Sequence, residues 1–125
     1  MSALRELASQ LREEDTPISP HVVDPDETVA FAPPGEHAFV IEAVREGYLL
    51  HYAEPRLLAA HDPDLALLAG DYLYALGIER LAAMGDTEAV HQLADLISTC
   101  AQLHTEDRGD DVPAVWSKVV QRLSR

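Results

Sequence analysis

Cysteine is almost absent from this chain. Cys100 is the only one, so no internal disulfide can form, and its neighbours Ile97, Ala101 and Leu103 mark it as a small buried hydrophobe rather than a reactive thiol. Basic residues are scarce too: 9 lysines and arginines stand against 22 acidic residues, a formal net charge of −13. Nucleic acid and anionic membrane surfaces both require a basic footprint, which that balance excludes. The start, MSALRELASQLREED, carries charges where a secretory signal needs an apolar run of about seven to fifteen residues, so a cytoplasmic protein is expected. No glycine-rich phosphate loop occurs, and no period of about 20 to 50 residues marks a repeat array. Ser98 and Thr99 fall in the middle of a helical pattern, which leaves nucleophilic catalysis a poor inventory.

What is present suits a globular protein: 125 residues, 47% hydrophobic and 25% charged, enough to bury one core without metal or disulfide staples. Residues 1–35 read as an N-terminal helix followed by an arm, and residues 36–125 as a helical core, all within a single domain. From Ser2 to Glu14, Leu4, Leu7, Ala8 and Leu11 recur at helical spacing and give one apolar stripe. From Thr16 to Gly35 the prolines Pro17, Pro20, Pro25, Pro33 and Pro34 forbid a continuous helix. This arm carries Ile18, Val22, Val23, Val29 and Phe31, so it is expected to lie across the helical body or across a neighbouring subunit. An extended segment of that length is unusual in so small a domain.

The second helix begins near Glu36 and ends by Glu54, ahead of Pro55. Ala38, Phe39, Ile41, Ala43, Val44, Tyr48 and Leu49 trace its apolar face, and Glu42, Arg45 and Glu46 fall mostly opposite. A short helical turn is expected over Pro55 to His61. Asp62 then stands as an N-cap with Pro63 at the first helical position. The third helix runs to Met84, where Gly85 terminates it and Asp86 caps its successor, giving a tight antiparallel hairpin. The fourth helix, Thr87 to Leu103, sets Val90, Leu93, Ala94, Ile97, Cys100 and Ala101 on one face. The last, in VPAVWSKVVQRLSR, aligns Val112, Val115, Trp116, Val119, Val120 and Leu123. Lys118, Arg122 and Arg125 near its end complement the helix dipole.

The third helix is apolar almost all round, yet carries Asp71. At about 1.5 Å per residue it is long enough to span a bilayer, but Asp71, Glu79 and Arg80 and the lack of a flanking basic cluster argue against a membrane span. A buried core helix is the better reading. It presents more apolar surface than four other helices can cover, so a homodimer is expected, in which a two-fold interface buries the same patch on both subunits. A buried Asp71 needs hydrogen bonds or a positive partner, with Tyr72, Tyr74 or a basic side chain of another helix as candidates.

The run LALLAGDYLYALGIERLAAMGDTEAVHQLADLIS resembles a segment of the trans-prenyl diphosphate synthases, and is similar to the non-catalytic small subunits of two-component, heptaprenyl-type synthases. Leu68, Ala69, Gly70, Asp71, Tyr72, Leu73, Ala75 and Leu81 carry the resemblance, with Gly70-Asp71 as its main weight. It covers Glu36 to Leu103 and is clearest between Leu65 and Ile97. Catalytic members hold magnesium with an aspartate-rich DDxxD motif upstream of the Gly-Asp pair and a second one much later, to screen a diphosphate leaving group. Here the first location reads YLLHYAEPRLLAAHDPD, without paired aspartates, and the second does not exist. The resemblance therefore implies an all-α fold and a dimer of the family's kind, without its activity.

Metal sites are weighed on Glu88 and His91 at i, i+3 spacing with Asp95 beyond them, and on His51, Glu54 and His61. Neither set has the second pair of ligands that a bundle site needs, so no metal or other cofactor is expected. Tyr48, His51, Tyr52 and Glu54 are the candidates for an apolar pocket between the second and third helices. Gly70, Asp71, Tyr72 and Tyr74 are the candidates for a structural or interface role. The expectation is an all-α antiparallel bundle with an N-terminal amphipathic helix and a proline-rich arm, acting as a non-catalytic interaction or accessory protein. That role fits a homodimeric scaffold or the small subunit of a larger prenyl synthase-like enzyme. A binding module for a prenyl or other lipid-like ligand is the alternative, and a small metal-dependent enzyme is the weaker one.

Overall fold

The computed structural model describes residues 2–59 and 62–124. Among them every long element is helical: α1 (Ala3–Glu13), α2 (Ala38–Tyr52), α3 (Pro63–Ala83), α4 (Thr87–Thr105) and α5 (Val112–Leu123). Three short 3-10 turns, at Ser19–His21, Glu27–Val29 and Gly109–Asp111, and one isolated antiparallel bridge between Val22 and Leu58 complete the backbone. The chain is all-α, as its periodicities predict. No helix among the described residues is long and apolar enough to cross a membrane.

Local chemistry sets the helix ends. Ser2, Asp62 and Asp86 each accept a hydrogen bond from a first-turn amide, of Arg5, Asp64 and Ala89 respectively. Gly85 has φ of 75°, and the amides of Gly85 and Asp86 return to the carbonyls of Ala82 and Leu81, which closes α3 before α4 begins.

The helix buried on nearly every side is α2, not α3. Val40, Ile41, Ala43 and Val44 are 1% exposed or less, and α2 separates two apolar clusters. On one side lie Leu4, Leu7 and Leu11 of α1 with Leu57 and Leu73. On the other lie Leu93, Leu96 and Cys100 of α4 with Trp116 and Val119 of α5. By contrast α3 buries small residues, Ala69, Gly70 and Gly77, with Leu73 and Leu81, and leaves Leu67 55% and Leu68 67% exposed. The expected all-round burial of α3 is thus corrected: glycine and alanine face inward, and part of the leucine faces out. On α4 the inward face is Ala89, Leu93, Leu96, Cys100 and Leu103. It is rotated from the expected stripe, and Ala94 and Ala101 are exposed.

Glu42 and Glu46 also reverse their expected placement. They are 1% and 0% exposed, because the arm and the loop after α2 cover what reads as a polar face. Glu42 accepts from the amides of Phe31 (2.8 Å) and Ala32 (3.1 Å), and Glu46 from the amides of Arg56 and Leu57. The Arg56 guanidinium lies between them, 2.7 Å from Glu42 and 3.1 Å from Glu46. The arm therefore packs on its own chain. Val23 donates to the Leu57 carbonyl and Ala59 to that of His21. The segment after Pro55 is extended or bent rather than helical, since Leu57 and Leu58 serve as the arm's partners. His61, at its expected end, lies outside the described residues.

Candidate functional site

The residues singled out from sequence fall into two connected places. The first is the seam where α2 and α3 run antiparallel. A β-carbon on Gly47 would meet the Gly70 carbonyl at 2.9 Å and the Tyr74 ring at 2.8 Å, and one on Gly70 would meet His51 at 2.7 Å. Only glycine allows the backbones this close. The space above Gly70 is filled by the His51 ring, which stacks on Tyr74 at 5.2 Å between centroids. His51 Nε2 lies 3.1 Å from Asp71 Oδ1, close enough for an ion pair yet misaligned for a hydrogen bond, so this buried nitrogen has no hydrogen-bond partner among the described residues.

Asp71 is therefore not the interior carboxylate that the sequence suggests. Its side chain is 68% exposed, and its partner is His51 of α2 rather than Tyr72 or Tyr74. Tyr72 is half-buried, and its burial and the nearby Glu14 carboxylate push its hydroxyl up to about 12. Burial also raises the Tyr74 hydroxyl. Both tyrosines stay neutral across the physiological range.

The second place is an aromatic array that continues from the seam. Tyr52 stacks on His104 at 4.0 Å with the rings 5° from parallel, and the Tyr48 hydroxyl is 2.8 Å from His104 Nε2. Tyr48 then meets Trp116 edge-on at 5.7 Å, and Trp116 meets Phe31 at 5.4 Å. Tyr48, His51 and Tyr52 are thus brought together, whereas Glu54 is exposed and takes no part. The expected pocket between α2 and α3 is closed by the glycine seam. A cavity of about 390 Å³ opens instead between α2, α5 and the arm, walled by Phe31, Tyr48, Val112, Pro113, Trp116 and Val120.

Sequence reasoning passed over Arg45, which also lines this cavity. Its guanidinium carbon lies 4.2 Å from the Phe31 ring centre, 5.0 Å from Trp116 and 5.4 Å from Tyr48. Burial and the neighbouring Arg56 cation both press Arg45 below its ordinary range. Phe31, Arg45 and Trp116 are far apart in the chain, so no spacing rule joins them. The sequence offers no signal for it, because the burial of α2 that covers Arg45 comes from the arm and α5 folding over what reads as a polar face.

Of the metal candidates read from sequence, one set, with His51 and Glu54, includes His61, which lies outside the described residues. Glu88, His91 and Asp95 are all exposed on α4. The group of described residues whose ligand atoms converge, within 4.8 Å of one another, is Glu36, His37 and Asp86. There His37 Nδ1 lies 3.1 Å from the Leu123 carbonyl and Nε2 lies 2.9 Å from Asp86, which ties the starts of α2 and α4 to the end of α5. Both ring nitrogens are thus engaged, so the cluster serves as a structural tie. Cys100 is buried, and desolvation pushes its thiol up to about 11, which leaves little nucleophilic thiolate near neutrality.

Compared with protein-family models, curated proteins and solved structures, the chain gives no significant match to any of them.

Proposed function

We propose that this is a non-catalytic all-α interaction protein that pairs with a second copy of itself through the outward face of α3. The observation that supports this most is the exposure of Leu67 and Leu68, 55% and 67%, on the one helix whose composition asks for cover. Ala75 and Ala82 continue this face along α3, which also carries the exposed Asp71 and Glu79. Burying the exposed part of such leucines gains about 1–2 kcal/mol each, and two-fold pairing doubles the number buried to set against the entropy lost on association. A two-fold pairing uses the same patch twice.

Under the same proposal a larger, prenyl synthase-like subunit is the alternative occupant of that face, and the cytoplasm its setting. Gly70 and Asp71, which carry the resemblance, have a packing role against Gly47 and His51 that needs no prenyl chemistry. Sedimentation at about 100 μM, a concentration that populates even a micromolar dimer, is the test. A dimer is expected, and Leu68→Glu should make it a monomer; at dilutions where the native chain is itself monomeric, the variant should shift unfolding by no more than about 0.5 kcal/mol, since Leu68 is exposed in the single chain. A native chain that sediments as a monomer refutes the self-pairing. Co-purification with a larger subunit would move the reading to the accessory form.

A further inference from the structure

The cavity beside Arg45 is chemically odd for this molecule. The chain carries 22 acidic residues, yet none lines the cavity, and its single charged wall residue is a cation. Most other arginines have an acidic partner: Arg5 meets Glu27, Arg12 meets Asp24, Arg56 meets Glu42 and Glu46, Arg80 lies 3.9 Å from Glu6, and Arg108 meets Asp111, while Arg122 is exposed on α5. Arg45 has none among the described residues, and none of its N–H groups makes a hydrogen bond there. The carboxylate one turn before it, Glu42, is already taken on one oxygen by Arg56 and on the other by the amides of Phe31 and Ala32. The hydroxyl of Tyr48 is engaged with His104.

Trp116, part of the same wall, is 2% exposed, and its indole N–H is buried away from the cavity, so the donors open to a ligand there are those of Arg45. A half-buried guanidinium held only by aromatic faces keeps its affinity for an anion, because cation–π contact leaves the N–H edge of the plane free. Asp110 and Asp111 stand near the start of α5 but are exposed and outside the lining, and Asp111 is paired with Arg108. The remaining walls are mainly apolar, with Phe31, Tyr48, Val112, Pro113 and Val120, and Ser117 and Gln121 are their polar, uncharged members. The volume, about 390 Å³, falls in the range of small-molecule sites, roughly 300–1,000 Å³.

We propose that this cavity binds a small organic carboxylate with an aryl or short alkyl body, its carboxylate paired with Arg45 and its apolar body laid against Trp116, Tyr48 and Val120. The site is separate from the α3 face, so it stands or falls independently of the dimer. Arg45 supplies a forked pair of N–H donors that fits a carboxylate in the plane, and partial desolvation strengthens that pairing over one made in water. The aromatic walls select for a flat or slender body and against a hydrated inorganic anion.

Trp116 is the only tryptophan, so the site reports on itself. Native protein is titrated with 4-phenylbutyrate and, separately, with the uncharged 4-phenylbutanamide, and indole emission is followed. A saturable change is expected, with the carboxylate binding at least about tenfold tighter than the amide, as a charge-assisted pair requires. In Arg45→Gln the difference between the two should vanish, while amide binding stays within about twofold. Equal affinity for acid and amide in the native protein overturns the proposal. So does the absence of any saturable change up to about 10 mM, or undiminished carboxylate preference in Arg45→Gln. The acid–amide comparison on native protein decides the matter even if the variant does not fold.

Discussion

At the scale of single residues, Arg56 holds more of the structure together than any other polar side chain. Glu42 and Glu46 sit one turn apart inside the protein, and each would cost several kcal/mol if buried without compensation. Arg56 pairs with both, balancing one of their two charges, while the amides of Phe31, Ala32 and Leu57 fill remaining lone pairs. The same guanidinium reaches the carbonyls of Val29 and Glu42, so it fastens the arm to α2 as well. Arg56→Ala leaves two carboxylates buried and unpaired, and should lower stability by about 3–5 kcal/mol in urea unfolding. A loss under about 1 kcal/mol would place the pair in the range of exposed ion pairs and refute this role for Arg56. None of this is visible in a helical wheel. Glu42, Arg45 and Glu46 read as a solvated face because periodicity registers polarity, not the chain that folds back over it.

At the scale of elements, the decisive contact is the seam between α2 and α3. Gly47 faces a backbone carbonyl, that of Gly70, which cannot swing away as a side chain would. At Gly77 a β-carbon would meet Val44 Cγ2 at 2.7 Å, so the close approach extends along both helices. Gly47→Ala gains about 1 kcal/mol of helix propensity but must force the helices apart, at about 1–3 kcal/mol or more. The expected outcome is a net loss of stability in urea unfolding, with no gain in helicity by circular dichroism. A stabilised variant would show that the seam is loose. Here the limits of the sequence have a clear cause. The α1 stripe of Leu4, Leu7, Ala8 and Leu11 is read correctly because large apolar residues face in and charged ones face out. In α3 the inward residues mix Ala69, Gly70 and Gly77 with Leu73 and Leu81 while Leu67 and Leu68 face out, so the pattern carries no direction, and Asp71 is mistaken for an interior group. The caps at Asp62, Gly85 and Asp86 are legible because their rules need only neighbouring residues. The cavity at Arg45 joins three distant segments, which no local rule can do.

At the scale of the whole molecule, the surplus of negative charge governs how stability responds to salt and pH. With a net charge of −13, and only a single uncompensated charge left where Arg56 pairs with both interior glutamates, nearly all the excess lies on the surface, where it opposes compaction. Added salt screens that repulsion over about 10 Å at 0.1 M. It also weakens exposed pairs such as Arg5–Glu27 and Arg12–Asp24, but such pairs are worth only about 0–1 kcal/mol each. The repulsion wins, so at pH 7 the melting temperature should rise as sodium chloride goes from about 10 to about 300 mM. Near pH 4.6, the isoelectric point expected from the composition, the same increment should have far less effect. Further acidification acts on particular carboxyl groups instead. That of Asp86 is held below its ordinary value of 3.8 by the Ala89 amide and then by His37, and that of Asp26 by the Thr28 amide and hydroxyl. A carboxylate with a depressed folded value stabilises the protein above its unfolded value, and the contribution is lost as pH falls through the folded one. Stability should therefore drop below about pH 4 at any salt concentration, and the drop should be shallower in Asp86→Asn. An equal salt effect at pH 7 and pH 4.6 would point to specific ion binding in place of self-repulsion. An unchanged acid limb in Asp86→Asn would mean that the α2–α4–α5 junction contributes nothing to acid sensitivity.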